Sequence, residues 1–243
     1  MSRIVPETGV PRTMRAGPHQ VGWSLLSVAL KAALVAAVLT LAGCPIAYIL
    51  WPRWPDAVPL DAPTLPVTVG GMALNVPAAA IRVARQRRAG AQERIDLVLL
   101  WPSLEPPDPA ARPAPDEPPS LSDRIFVTIA KSDGTPPPSE RINTIYPRYT
   151  EGAPAAGPDG LRAQAFRKDT PYQNEDLFYD AAAPDRFLVR CTRQAGIAPG
   201  ICLHEQRIGN TDVIVRFPRD WLHDWRAVAA NIDRLLAKLR AGR

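Results

Sequence analysis

ICLHEQRI at residues 201–208, Gly209-Asn210, and TDVIVRF at residues 211–217 form the stretch on which the fold turns. Two runs rich in branched residues, separated by a two-residue turn pair, make a tight antiparallel hairpin. Placing Ile208 opposite Thr211 puts Arg207 across from Asp212 and Glu205 diagonal to Arg216, on one face with compatible charges. The other face then carries Cys202, His204, Ile208, Val213, Val215 and Phe217, and this is the expected core side.

Beyond Phe217, Trp221, Trp225, Val228, Ile232, Leu235 and Leu239 recur at steps of four and three, which makes one apolar stripe on a helix. Asp220 is placed to cap its first turn, and Lys238 and Arg240 suit the negative end of the helix dipole. The stripe is barely three heptads long, so packing on the domain's own sheet is expected rather than a coiled coil with a partner.

Just upstream, FLVRC at residues 187–191 and ICLHE bracket a short connection, so a hairpin brings Cys191 beside Cys202. In an oxidising compartment that pair reads as a disulfide closing a small loop, which contributes about 3 kcal/mol in the chain-entropy picture. A metal or nucleophile site built from Cys191, Cys202, His204 and Glu205 is the alternative, but the spacing matches no compact zinc pattern and Glu205 points to the opposite face. His204 is therefore expected as a core histidine bonded to a neighbour. His223 falls on the polar side of the final helix.

Residues 94–101 (RIDLVLLW) and 124–130 (RIFVTIA) have strand composition. Between them, the stretch 102–119 contains eight prolines and should run outside the core as an extended loop. SDGTPPPSE and TEGAPAAGPDG read as two further breaks around a short amphipathic stretch at Ile142, Ile145 and Tyr149. Near the domain's start, residues 67–69 and 72–76 flank Gly70-Gly71 and predict a hairpin with a turn that tolerates positive φ. IRVARQRRAG follows and gathers Arg82, Arg85, Arg87 and Arg88, either as a solvated helix face or as a contact with anionic lipid headgroups.

VTVGGMALNVP at residues 67–77 and DLVLLWP at residues 96–102, together with an N-terminal anchor, resemble uncharacterised membrane-anchored proteins of the bacterial envelope. The resemblance implies no activity and transfers no functional residue.

The anchor itself is read from residues 32–51, AALVAAVLTLAGCPIAYILW, which carry no charge. At ~1.5 Å per residue they cover a ~30 Å hydrocarbon layer. Trp23 on one side and Tyr48, Trp51 and Trp54 on the other suit interfacial belts, and Lys31 can snorkel. Arg3, Arg12 and Arg15 precede the segment while Arg53 alone follows closely, so the N-terminus is expected in the cytoplasm and the domain in the periplasm. Leu41-Ala42-Gly43-Cys44 also resembles a lipobox, in which Cys44 would be the lipidated residue of a lipoprotein or tether. Either reading sends the domain across the bacterial inner membrane.

The net charge of +5 belongs largely to this region, because from Asp56 onward 24 basic side chains meet 23 acidic ones. A nearly neutral domain argues against nucleic acid as a partner. No nucleotide, hydrolase or zinc-protease motif is found, and Glu175 and Asp176 look like ordinary surface carboxylates.

The expected class is α+β: one N-terminal transmembrane helix, then an antiparallel-sheet domain with the C-terminal amphipathic helix packed on it. The expected organisation is a cytoplasmic tail at 1–22, the anchor at 23–51, a linker at 52–65 and the exported domain at 66–243. The expected function is binding, with the membrane and an envelope protein as partners and with no cofactor, metal or small-molecule substrate. An envelope hydrolase with an unusual site around His204 and the proline-rich loop is the rival reading, and a structural tether is a second.

Overall fold

The structure, a computed structural model, describes residues 19–50, 58–108, 123–193 and 200–241. Arg3, Arg12, Arg15, Trp51, Arg53, Trp54 and most of the proline-rich loop lie outside the described residues, as does the side chain of Trp23. The chain divides into two units, Met1–Trp54 and Pro55–Arg243.

In the first unit, helix α1 runs His19–Leu50. Its described side chains, at 28–44 and Tyr48, are all exposed. Among the described residues no helix is long and apolar enough to cross a membrane.

The second unit is α+β. β1 (Thr64–Val69), β2 (Met72–Pro77) and β3 (Gly90–Gln92) form a small sheet in the order β2-β1-β3. β1 and β2 are the expected hairpin, and Gly70 and Gly71 take φ of 58° and 90° at its turn. Gly70 is needed for a second reason, because a Cβ there would collide with the Asn210 carbonyl oxygen. The hydroxyl of Thr211 donates to the Val69 carbonyl at 2.9 Å, so this turn abuts the central hairpin.

The large sheet is built from β4 (Arg94–Leu100), β5 (Arg124–Lys131), β6 (Thr150–Ala156), β7 (Arg162–Phe166), β8 (Glu175–Tyr179), β9 (Leu188–Thr192), β10 (Ile201–Ile208) and β11 (Thr211–Pro218). Its order is β4-β5-β11-β10-β9-β8-β7-β6, with every neighbour antiparallel. β10 and β11 pair in the register expected, Ile208 with Thr211 and Arg207 with Asp212. Cys202, His204, Val213, Val215 and Phe217 are all buried on the inner face.

Helix α3, Trp225–Ala241, lays Trp225, Val228, Ile232, Leu235 and Leu239 into the same core as the small sheet and the inner face of β4, β5 and β11. Asp220 does not cap it. Arg219–Asp224 form a 3-10 turn that begins after Pro218 with no side-chain cap, and α3 starts at Trp225. On the outer face a smaller cluster of Tyr146, Phe166, Leu177 and Leu188 sits with Ile142, Ile145 and Tyr149 of the segment that contains α2, Pro138–Thr144. α2 opens on a proline at its first position, where the missing N–H costs nothing, so the last residues of an expected break start a helix.

Three other expectations change. TEGAPAAGPDG is not only a break: it supplies β6, an edge strand where Pro154 needs no ladder donor and where the register shifts between Glu151 and Ala155. IRVARQRRAG is not a helix face but an extended segment with one 3-10 turn, Ala84–Gln86. The first residues of the proline-rich loop are not outside the core, because Leu104 is buried in it.

Candidate functional site

The far end of the large sheet, beyond the reach of α3, is where the inner face opens. β6, β7 and β8 place Ala155, Ala163, Ala165 and Phe178 there, and small side chains leave a depression that larger ones would fill. The result is an open groove of about 730 Å³, rimmed on the other side by Asp220, Leu222 and His223 of the 3-10 turn.

A polar clasp closes one end. Asp176, on β8, accepts from Arg193 Nε at 2.9 Å and from Arg219 Nη2 at 2.7 Å. Arg193 also donates to the backbone carbonyls of Phe166, Gln173 and Glu175, and Arg219 donates to that of Thr192. The Arg219 guanidinium lies 5.0 Å over the Phe178 ring. Both cations are thereby oriented before any ligand arrives, which lowers the ordering cost of recognition.

Asp220 and His223 stand on the rim of this lining. Among the described lining residues there is no serine, threonine, cysteine or lysine to act as a nucleophile, and Asp176 is occupied by two arginines. Among the described residues, no group of three or more His, Cys, Asp and Glu side chains could hold a metal ion.

The residues singled out from sequence fall elsewhere. Cys191 and Cys202 face each other across β9 and β10 with Cα atoms 3.9 Å apart, and they form a disulfide buried in the core. His204 is 2% exposed, its Nδ1 lies 3.1 Å from the Leu188 carbonyl oxygen, and its ring stacks on Phe187. Burial pushes its pKa down to about 4, against the smaller opposing pull of that carbonyl. The imidazole is therefore a core histidine bonded to a neighbour, as expected, and it opens on no surface among the described residues.

Glu205 points to the outer face, as expected, but it pairs with Arg141 of α2 and, at 3.8 Å, with Arg190 rather than with Arg216. Arg190 in turn holds Glu175 at 2.7 Å. The two carboxylates read as ordinary surface charges are therefore joints of the fold. This cluster fastens α2 to the sheet beside Tyr146, whose hydroxyl pKa is pushed up to about 12 by burial.

Arg82, Arg85 and Arg88 are exposed, and Arg87 is half-buried with its Nε donating to the Ile81 carbonyl. Their backbone is pinned from beneath. Gln86 turns inward, donates to Asp96 at 3.0 Å and accepts from the Asp96 N–H at 2.9 Å. Gln92 donates to the carbonyls of Gln86 and Arg88. Asp96 is 6% exposed; desolvation alone would raise its pKa, but bonds from Arg94, Gln86 and Thr128 hold it down at about 2.

In fold the chain resembles one solved structure above a TM-score of 0.5. Smlt3025, an immunity protein of the Stenotrophomonas maltophilia type IV secretion system, matches with a TM-score of 0.52 at 17% identity, over 73% of this chain and 93% of its own. FrpD, the iron-regulated outer membrane lipoprotein of Neisseria meningitidis, gives a TM-score of 0.44 at 10% identity, over 78% of this chain and 99% of its own. No family model matches the chain, and no curated protein matches it in sequence.

Proposed function

We propose that the chain is a bacterial envelope protein, anchored in the inner membrane by α1, whose periplasmic α+β domain works by binding another envelope protein. The observation that carries the anchor is the exposure of Val28, Leu30, Leu34, Val35, Val38, Leu39 and Leu41, which leaves α1 apolar all round. A helix of that kind is stable in lipid and unfavourable in water. The buried Cys191–Cys202 disulfide suits an oxidising compartment.

The test is a topology reporter fused after Arg243. Activity of a reporter that matures only in the periplasm is expected, and activity confined to the cytoplasm would overturn the anchor reading.

For the binding role, the groove beside Arg219 and Phe178 is the favoured contact, because its cations are oriented. A structural neighbour in fold is an immunity protein of a secretion system, and a protective role exercised by binding is the form of this proposal that the likeness suggests. A photocrosslinking amino acid at His223, exposed on the groove's rim, is expected to trap one envelope protein in intact cells, whereas the same group at Arg234, on the exposed side of α3, is expected to trap none. Equal yields from both positions would remove the groove from the proposal.

A further inference from the structure

Most ion pairs of this domain balance charge for charge, and the exception lies in the groove. Arg94 holds Asp96, Arg207 holds Asp212, and Arg141 and Arg190 share Glu205 and Glu175. Asp176 instead faces two guanidiniums, those of Arg193 and Arg219, with no second carboxylate among the described residues. One positive charge is left over at that end of the groove. Asp220 belongs to the opposite rim and is exposed, so solvent and salt screen its field.

Arg219 is the cation with donors still open. A guanidinium offers five N–H groups. Arg193 makes four bonds with its own, to Asp176 and to the carbonyls of Phe166, Gln173 and Glu175. Arg219 makes two, from Nη1 to the Thr192 carbonyl at 3.1 Å and from Nη2 to Asp176 at 2.7 Å, so three of its N–H groups have no acceptor among the described residues. The side chain is held where it stands. Its backbone N–H donates to the Gly200 carbonyl at 2.7 Å, and its stem packs so closely on Gly200 that a Cβ there would lie 3.1 Å from Cδ. With the Phe178 ring under the guanidinium and a quarter of the side chain still open to solvent, the remaining donors are fixed in direction and accessible.

A single surplus charge on a planar fork matches a carboxylate, which accepts from two guanidinium N–H groups at once. A phosphate group, at about −1.5 to −2 charges, would leave the clasp negative. The alanines of β6 and β7 leave room beside Arg219 for an inserted segment that carries such a group. We infer that Arg219 receives the side-chain carboxylate of an aspartate or glutamate on the protein that enters the groove, so that two guanidiniums and two carboxylates complete the clasp. This inference rests on the groove being the binding surface.

The test uses the full chain with the photocrosslinking amino acid at His223, trapped in intact cells, and mass spectrometry to read the linked peptide. The linked segment is expected to contain an aspartate or glutamate. Arg219→Gln is expected to lower the yield about 10-fold or more, and Arg219→Lys, which keeps the charge but not the fork, to lower it less. When the carboxylates of the linked segment are replaced by arginine in turn, one replacement should abolish trapping by the parent chain and restore it with Arg219→Glu. An unfolded domain cannot produce that recovery. Parental yield from Arg219→Gln, a linked segment without a carboxylate, or no recovery in the charge swap would overturn the role of Arg219 and leave the groove standing. No trapping from His223 in the parent chain, or equal trapping from Arg234, would remove the groove itself and this inference with it.

Discussion

Trp225→Ala is expected to lower the unfolding free energy by about 3–5 kcal/mol, the range for truncating a large aromatic in a packed core. Trp225 is 3% exposed and is the first residue of α3. Its ring packs 4.9 Å from Phe187, and its Nε1–H donates to the Asp159 carbonyl at 3.1 Å. Truncation therefore opens a cavity and leaves a carbonyl without its donor. It also frees the start of α3 beside the 3-10 turn that rims the groove, so binding should weaken together with stability. Trp225→Phe separates the contributions: most of the ring packing stays, the N–H bond goes, and a loss near 1 kcal/mol is expected. Chemical denaturation of both variants against the parent protein reads the difference directly. A Trp225→Ala loss below about 1 kcal/mol would mean that this junction is not part of the cooperative core.

That junction also shows what the sequence made legible. The stripe ending at Leu239 and the Gly209-Asn210 hairpin are local signals, each written within about twenty residues by one periodicity or one turn, and both appear where expected. The cysteine pair was readable for the same reason, since its two strands are neighbours in the chain. β7 and β8 were not. EDLFY lacks alternation because ion pairs rather than apolar contacts cover one end of each face, Glu175 meeting Arg190 and Asp176 meeting Arg193 and Arg219, while RAQAF alternates only through alanines, which carry little strand signal. A carboxylate whose partners lie up to 43 positions away reads as a surface charge until the chain is folded.

The groove was hidden on the same grounds. Its walls come from residues 155–158, 163–165, 176, 178, 193, 219, 220, 222 and 223, none of which forms a motif alone. Its alanine floor is noticeable only by what the alanines fail to fill. The arginine cluster was visible as composition, but its rigidity depends on Gln86 and Asp96 meeting across ten positions, which no periodicity announces.

Acid should destabilise this domain in a window set by one residue. His204 in the unfolded chain titrates near its ordinary 6.5, whereas in the fold burial brings it down to about 4. Below pH 6.5 the unfolded state takes up a proton that the native state refuses, so stability is complete above that pH and falls as pH drops toward 4. Integrated over the window the loss is roughly 3–4 kcal/mol. Asp96 acts in a separate range: its pKa is lowered from 3.8 to about 2, so the stability it contributes is present above 3.8 and disappears only as pH falls below that value. Between pH 6.5 and 4 the two effects do not overlap. His204→Gln keeps an N–H donor that can serve the Leu188 carbonyl and removes the titration, so its stability curve should be flatter than the parent's across that interval even though its stability at pH 7 is lower. Denaturant midpoints measured at pH 7, 5.5 and 4.2 for both proteins decide the matter. Parallel curves would show that the imidazole does not govern the acid response and that His204 is protonated as easily in the core as in water.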